Sequence, residues 1–333
     1  MKRKGFLIES IADRSNLEWA LWRASRQKLS RPDVMNFLAN ADFELETLRN
    51  SLLIGELPQG NYRFFTIHDP KERTIAVAPF AHRVGHHAII KQCGSLFENH
   101  QIEQSFACRK GKGQYAAIAW LQQAMKSHTC YLKLDIKKYF DSIDHPTLQN
   151  QLERIFKDEI LLRLFYRIID NYCTKPGKGL PIGNLTSQYL ANHYLMKFDR
   201  HVKQNLRLKG YCRYMDDMII LGQSTQELKA LAHHFTVFLE NELQLSLKTS
   251  YTNSVAQGVS FLGYRVFSNS MRLNERSKKR FIKHWRANDL LWFKGVASEE
   301  ECAVRARAAF VFAEKASVVH LKKAYLRSQG VLS

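Results

Sequence analysis

The chain has 333 residues, 45% of them hydrophobic and 11% aromatic, which is the composition of a folded protein and excludes a disordered one. Lys and Arg number 50 against 31 Asp and Glu; the net charge of +19 favours polyanions, nucleic acid first and an anionic membrane surface second. No apolar run approaches the roughly 20 residues of a membrane span. The apolar stretch Phe6-Leu7-Ile8 stops at Glu9, too short for a secretory signal, so a cytoplasmic protein without membrane association is expected.

Residues 6–52 read as helices, with Leu17, Leu21, Phe37, Leu38, Leu45, Leu48 and Leu52 near helical spacing. Gly55 and Pro58-Gln59-Gly60 end that region. Two strands are predicted at 62–67 and 74–77, joined by His68-Asp-Pro-Lys-Glu-Arg73 into a hairpin with a basic tip, and helices are expected after it at 80–98 and 114–127. Tyr131-Leu-Lys-Leu-Asp135-Ile136 alternates apolar and polar residues, as a half-buried strand does, and ends on a carboxylate. Pro146 suits the first turn of a helix with Asp144 or His145 at its cap, and Asp158 suits the cap of the next. The turn-rich loop 174–183 leads into a helix over about 184–205. Ser224-Thr-Gln-Glu227 is a capping-box pattern for a helix to about Glu242, with strands after it at 259–267. Residues 271–333 read as a separate helical region with fourteen Lys or Arg against six Asp or Glu. There Lys279, Lys283 and Arg286 interleave with Phe281, Ile282 and Trp285, as in a face that tracks a phosphate backbone.

The six cysteines are scattered without a Cys-x-x-Cys pair, which predicts reduced core thiols rather than disulfides or a zinc site. Adjacent histidines at 86–87 and 233–234 point apart on a helix and make poor metal pairs.

Tyr214-Met215-Asp216-Asp217 lies between short apolar runs. Two neighbouring carboxylates there repel each other, and aspartate is disfavoured in strands. Alone, the pair fits a solvated turn as well as a site for a divalent cation, since Mg²⁺ takes hard oxygen ligands from carboxylates and substrate phosphates. Asp135, at the end of another strand, supplies a third carboxylate. Three such groups converging would hold two Mg²⁺ ions about 4 Å apart.

The order of motifs strengthens the second reading. Leu134-Asp135-Ile136-Lys-Lys-Tyr-Phe140-Asp-Ser-Ile143-Asp144, then Gly179-Leu-Pro-Ile-Gly183-Asn-Leu-Thr-Ser187-Gln188, then Tyr214-Met-Asp-Asp217, then Phe261-Leu-Gly-Tyr-Arg265 occur in the order and near the spacing of reverse transcriptases. The chain resembles that family from about residue 6 into the basic C-terminal region. Within it, Ile182-Gly183-Asn-Leu-Thr-Ser187-Gln188 resembles the enzymes of diversity-generating retroelements, bacterial or phage-encoded, where most relatives have Gln-Gly-x-x-x-Ser-Pro.

The resemblance implies an α+β right-hand polymerase fold: an N-terminal helical extension (1–60), fingers (61–130), an antiparallel-sheet palm (131–270, with fingers helices about 145–178) and a helical thumb (271–333). It implies catalytic Asp135, Asp216 and Asp217 with two Mg²⁺ ions, Mn²⁺ serving as a substitute, and the Ile136 carbonyl as a further ligand. Lys71 and Arg73 would clamp the triphosphate, Arg being suited to planar bidentate contact and Lys to a point charge. Phe140 would be the gate that excludes a ribose 2′-hydroxyl. Ile182, Gly183 and Gln188 would lie at the incoming nucleotide, Gly183 letting backbone approach. Lys248 would be a general acid for pyrophosphate, Gly263 and Arg265 a primer grip, and Arg83 and Arg109 template contacts.

An aliphatic Ile182 offers no polar check on the base pair, and shape alone is a weak filter. Error-prone copying of template adenines is implied, with template RNA, the RNA/cDNA duplex and dNTPs as partners. A small, basic, pentameric accessory protein is implied too, and no RNase H or maturase segment. A retron or group II intron-type enzyme, or a catalytically silent RNA-binding relative, are the competing expectations.

Overall fold

The computed structural model describes residues 3–68 and 71–316. In chain order its helices and strands are α1 (Ile8–Ala12), α2 (Arg14–Ser25), α3 (Pro32–Ala39), α4 (Ala41–Leu53), β1 (Arg63–Ile67), β2 (Arg73–Val77), α5 (Phe80–His100), α6 (Gln114–Met125) and β3 (Cys130–Ile136). Then come α7 (Tyr139–Ser142), α8 (His145–Glu153), α9 (Glu159–Asp170), α10 (Leu185–Tyr194), α11 (Met196–Arg200), β4 (Tyr211–Tyr214), β5 (Asp217–Gly222) and α12 (Thr225–Leu243). The last are β6 (Leu247–Ser254), β7 (Val259–Phe261), β8 (Tyr264–Val266), β9 (Met271–Leu273), α13 (Glu275–Phe293) and α14 (Glu299–Glu314). The chain folds into two compact units. One comprises Met1–Lys110, Asp135–Leu208 and His233–Lys248, the other Gly111–Leu134, Lys209–Ala232 and Thr249–Ser333.

The first unit is organised around α5, whose Val84, His86, Ala88, Ile89, Cys93 and Phe97 are buried. α2 and α10 pack against it. Gly85 is required there, because a Cβ would stand 2.7 Å from Leu57 Cδ2. Phe97 closes an aromatic cluster with Phe156, Phe165 and Tyr189 at centroid separations of 5.7, 6.1 and 6.1 Å. Each of the three buried phenylalanine rings contributes roughly 1.5–3 kcal/mol by leaving water. Burial also pushes the His86 imidazole down to about 3, so it is a neutral core residue.

Helix ends match the caps legible in the sequence. Asp144 accepts from Thr147 N at 3.0 Å ahead of Pro146, and Asp158 accepts from Leu161 N at 3.1 Å. Asp158 does a second job that its position in sequence does not announce: its other carboxylate oxygen receives the backbone N–H groups of Leu7 and Ile8 at 2.8 and 3.2 Å, tying the N-terminus to α9. The helix expected over 184–205 is instead α10, α11 and a π-helical turn at His201–Asn205.

The second unit holds most of a four-stranded sheet in the order β4-β5-β3-β6, whose β3 and β6 each reach a residue or two into the first unit, and a three-stranded antiparallel sheet β7-β8-β9. β6 is a strand that the sequence pattern does not announce. β9 corrects the expectation that 271 onward is helical: Leu273 pairs with Tyr264 and Met271 with Val266, so the residues just before the basic helices complete a sheet. α13 and α14 then pack on each other, and residues 317–333 lie outside the described residues. All six cysteines are free. Cys93, Cys212 and Cys302 are core thiols as expected, but Cys108 and Cys173 are exposed. Among the described residues no helix is long and apolar enough to cross a membrane.

Removing the Asp158 carboxylate unmakes one cap and leaves two further amide donors without an acceptor. Asp158→Ala is expected to cost about 2–3 kcal/mol, read as a lower urea midpoint, whereas Asp158→Asn retains most of the stability. An unchanged midpoint for Asp158→Ala would show that water replaces the carboxylate at no cost.

Candidate active site

β4 and β5 form a hairpin of minimal length. Tyr211 pairs with Ile220, Cys212 with Ile219, Arg213 with Met218 and Tyr214 with Asp217, leaving Met215 and Asp216 as the turn. Met215 adopts a left-handed backbone, φ 53°, which costs a residue with a side chain about 1–2 kcal/mol. Met218, Ile219 and Ile220 are fully buried, so both faces of the strand are packed, and a slip by one residue would draw the Asp217 carboxylate into the apolar position that Met218 holds. The strained turn is thus fixed by its strands. It is also held from below: Arg213 is completely buried and its guanidinium donates to the Met215 carbonyl at 3.1 Å.

Asp217 opens β5 with its side chain one-quarter exposed, and Lys133 of β3 meets it. The Lys133 ammonium lies 2.9 Å from Oδ1 and 3.1 Å from Oδ2, and donates to the Ser260 carbonyl at 2.7 Å. The carboxylate therefore already carries a cation. Neither Lys133 nor Arg213 was singled out from the sequence. For Lys133 a signal existed: it precedes Asp135 by two, and residues two apart in a strand share a face. Asp135 itself is the penultimate residue of β3, half-buried, and its neighbour Ile136 is buried.

Among the described residues no three His, Cys, Asp or Glu side chains are gathered closely enough to hold a metal ion. The donors nonetheless suit a hard divalent cation, because Asp217 presents carboxylate oxygens that the fold has matched with a positive charge. Mg²⁺ characteristically completes its shell with waters and substrate phosphates rather than an all-protein cage. The adjacent histidines divide as expected of a helix: His234 donates to or accepts from His201, Nε2 to Nε2 at 2.7 Å, while His233 does not join that pair.

The remaining sequence-derived residues fall into three groups. Gly183, φ 126°, and Ile182 lie on the loop before α10, strapped to β2. Ala76 N donates to the Ile182 carbonyl at 2.9 Å, and a Cβ on Gly183 would stand 2.7 Å from the Ala76 carbonyl. Gly183 is thus required by its own neighbour strand. Phe140, half-buried, packs edge-on to Tyr139 at 5.8 Å, and its carbonyl accepts from Leu180 N at 2.8 Å; Gln188 is half-buried on α10. Lys71 and Arg73 are exposed at the β1–β2 tip, whose Asp69 and Pro70 lie outside the described residues.

In the second group the cations are already engaged within the protein. Arg83 pairs with Asp33 and stacks on Phe80 at 4.9 Å. Arg109 donates to Glu98 at 2.7 Å and to the Ser105 carbonyl at 2.7 Å, its side chain only 9% exposed. These two guanidiniums hold loops and helices in place. The third group comprises the β7–β8 turn and the exposed cations of β6 and α13. Gly263, φ 88°, is crowded by Phe312 Cζ at 2.8 Å from a notional Cβ, and Arg265 Nε donates to the Gln257 carbonyl at 2.7 Å. Lys248 is exposed on β6, and Lys279, Lys283 and Arg286 form an exposed row on α13.

Comparison with known proteins addresses the same segments. The sequence model described as reverse transcriptase (RNA-dependent DNA polymerase) matches residues 68–266, more than half of the chain and all four motif segments. Among curated proteins the chain is similar to Protein YkfC of Escherichia coli, 22% identical over 77% of this chain and 81% of that protein. It is also similar to the group II intron-encoded protein LtrA of Lactococcus lactis, 23% identical over 64% of this chain but only 48% of LtrA, so it spans about half that relative's length. Among solved structures, telomerase from Candida albicans superposes with a TM-score of 0.50 at 11% identity, covering 70% of this chain and 51% of the telomerase chain, a likeness of fold. A mixed helix-and-sheet chain with the architecture of a right-hand polymerase, matched across the segment that carries its paired aspartates, belongs to the reverse transcriptase family of RNA-dependent DNA polymerases.

Proposed function

We propose that this reverse transcriptase makes error-prone, adenine-mutagenised cDNA from a template RNA, as the enzymes of diversity-generating retroelements do, with Asp135, Asp216 and Asp217 as its catalytic carboxylates. The observation that carries the catalytic part is the Asp216-Asp217 turn. It is a strained two-residue connection presented by two buried strands, with a cation already drawn to Asp217. A turn meant only to reverse the chain would be better served by Asn-Gly.

Bound divalent ions, Mg²⁺ or Mn²⁺, would lower the pKa of the primer 3′-hydroxyl and neutralise charge on the triphosphate and the departing pyrophosphate. Asp135, Asp216, Asp217 and the Ile136 carbonyl would hold them. The protein's own groups do the positioning. Lys71 and Arg73 draw the triphosphate to the hairpin tip by charge. Phe140 presents a half-buried ring that a ribose 2′-hydroxyl would strike. Lys248 donates a proton to pyrophosphate, Gly263 and Arg265 shape the primer-side turn, and Lys279, Lys283 and Arg286 line up along α13 toward phosphates of the template–cDNA duplex. Arg83 and Arg109 contribute by shaping the fingers, given their intramolecular partners.

The mutagenic part rests on Ile182 and Gln188. Ile182 supplies bulk and no hydrogen bond beside the nucleotide, so a mispair of acceptable shape is rejected only weakly. A basic, pentameric accessory protein and a cytoplasmic setting complete this proposal. The likeness to LtrA favours a second reading, a group II intron-type enzyme of ordinary fidelity.

Primer extension on a defined RNA separates the two. Misincorporation opposite template adenine should exceed that opposite the other three bases; equal rates at all four leave the intron-type reading. Asp216→Ala and Asp217→Ala are each expected to abolish dNTP incorporation while RNA affinity in a filter-binding assay stays near wild type, and retained synthesis would remove both residues from the catalytic centre. Phe140→Ala should admit rNTPs, seen as extension in reactions lacking dNTPs; continued exclusion of rNTPs would make Phe140 a packing residue only.

A further inference from the structure

We propose that Lys133 is a built-in counter-cation that occupies Asp217 in the metal-free enzyme and weakens divalent-metal binding until substrate arrives. The inference rests on Asp217 being a metal-binding carboxylate.

The geometry is specific. The ammonium lies 2.9 Å from Oδ1 and 3.1 Å from Oδ2 of Asp217, so it covers both oxygens. A Mg²⁺ ion on either oxygen would lie about 2.1 Å from it, which would set two cations in competition for the charge of one carboxylate. Metal binding would weaken the Lys133 contact, and the ammonium keeps a second anchor: the Ser260 carbonyl holds it at 2.7 Å, with the Phe261 ring 6.0 Å away. The lysine side chain is 16% exposed, so its charge is poorly screened by water and acts at close range.

Charge alone then has three consequences. Without metal, Lys133 relieves the repulsion between neighbouring Asp216 and Asp217. With metal, it competes, so an ion in the absence of substrate is bound loosely. An incoming triphosphate adds the negative charge that tips the balance, so the site loads after nucleotide arrives. Lys133 is therefore a positioning residue, acting through Asp217 and touching no reacting atom.

The test is Mn²⁺ binding to the full-length protein without nucleotide or primer, monitored by electron paramagnetic resonance of the free ion. Lys133→Met removes the charge at similar length; Lys133→Gln removes it but keeps a donor for Ser260, and serves if the first variant fails to fold. Either is expected to bind Mn²⁺ roughly five- to fiftyfold more tightly than wild type. Melting in EDTA should show the neutral variants less stable than wild type and gaining more on Mn²⁺ addition. Lys133→Arg, which keeps the charge, should stay within about twofold of wild type in affinity.

Unchanged or weaker Mn²⁺ binding in the folded neutral variants would overturn the proposal. Asp217→Ala distinguishes a failure of the lysine's role from a failure of the metal site. Loss of Mn²⁺ binding in Asp217→Ala with no effect of Lys133→Gln sinks the lysine's role alone. Full Mn²⁺ binding in Asp217→Ala sinks the assignment of Asp217 as a ligand and this proposal with it.

Discussion

Two like charges at the tip of a hydrophobic hairpin are the constraint around which the second unit is arranged. Asp216 and Asp217 cannot be relaxed by moving outward, because Tyr211, Cys212, Met218, Ile219 and Ile220 behind them are buried and fix the register. Nor can the turn choose its easiest backbone, since a two-residue connection forces Met215 into left-handed space. The fold answers with two cations beneath and beside the turn. Arg213 ties off the Met215 carbonyl from inside the core, and Lys133 sits on Asp217. A fully buried guanidinium is costly unless its donors are used. Its presence under this turn shows how firmly the turn must be held.

The same economy governs a glycine-bearing loop in each unit. Gly183 and Gly263 both adopt positive φ, and for both a side chain would collide with a specific neighbour, the Ala76 carbonyl in one case and Phe312 in the other. Tyr264, next to Gly263, stacks on Phe312 at 4.6 Å and donates its hydroxyl to the Phe312 carbonyl at 2.7 Å, so the β7–β8 turn is gripped by α14. Close approach of backbone is an internal need before it is a service to any ligand. It removes a degree of freedom where a polymerase requires rigid walls.

Much of this was legible in the sequence for definite reasons. Period-two alternation marked β3, turn residues marked the β1–β2 hairpin, and Asp144, Asp158 and Ser224 marked helix starts by their capping chemistry. The four motif segments were recognisable because they keep the residue types, order and spacing of the family whose sequence model matches residues 68–266. What escaped detection has equally definite causes. β9 is three residues long and gains its identity only from pairing with β8, which no local pattern encodes. The helix expected through 205 breaks at Leu195, between α10 and α11, and its last turn widens to a π-helical one at His201–Asn205, where His201 stacks at 4.3 Å on Phe238 from a distant stretch of chain. Arg213 carries no local mark, because its partner is the turn carbonyl of Met215, whereas Lys133 is marked only by sharing a strand face with Asp135, a faint signal in a basic protein until Asp217 is placed beside it.

A net charge of +19 does not by itself measure the pull on a polyanion. Net charge counts all cations alike, yet the structure divides them by what they face. Arg83, Arg109, Arg213 and Lys133 are turned inward onto Asp33, Glu98, a turn carbonyl and Asp217, where each offsets a local cost and lends little to the outer field. Lys279, Lys283 and Arg286 stand exposed at successive turns of α13, spaced to present one continuous positive edge. Attraction of a polyanion depends on that second class, because exposed charges project into solvent while paired ones cancel at short range. Composition favours a nucleic-acid partner, in keeping with the reverse transcriptase family match; burial and pairing decide which cations are available to meet one.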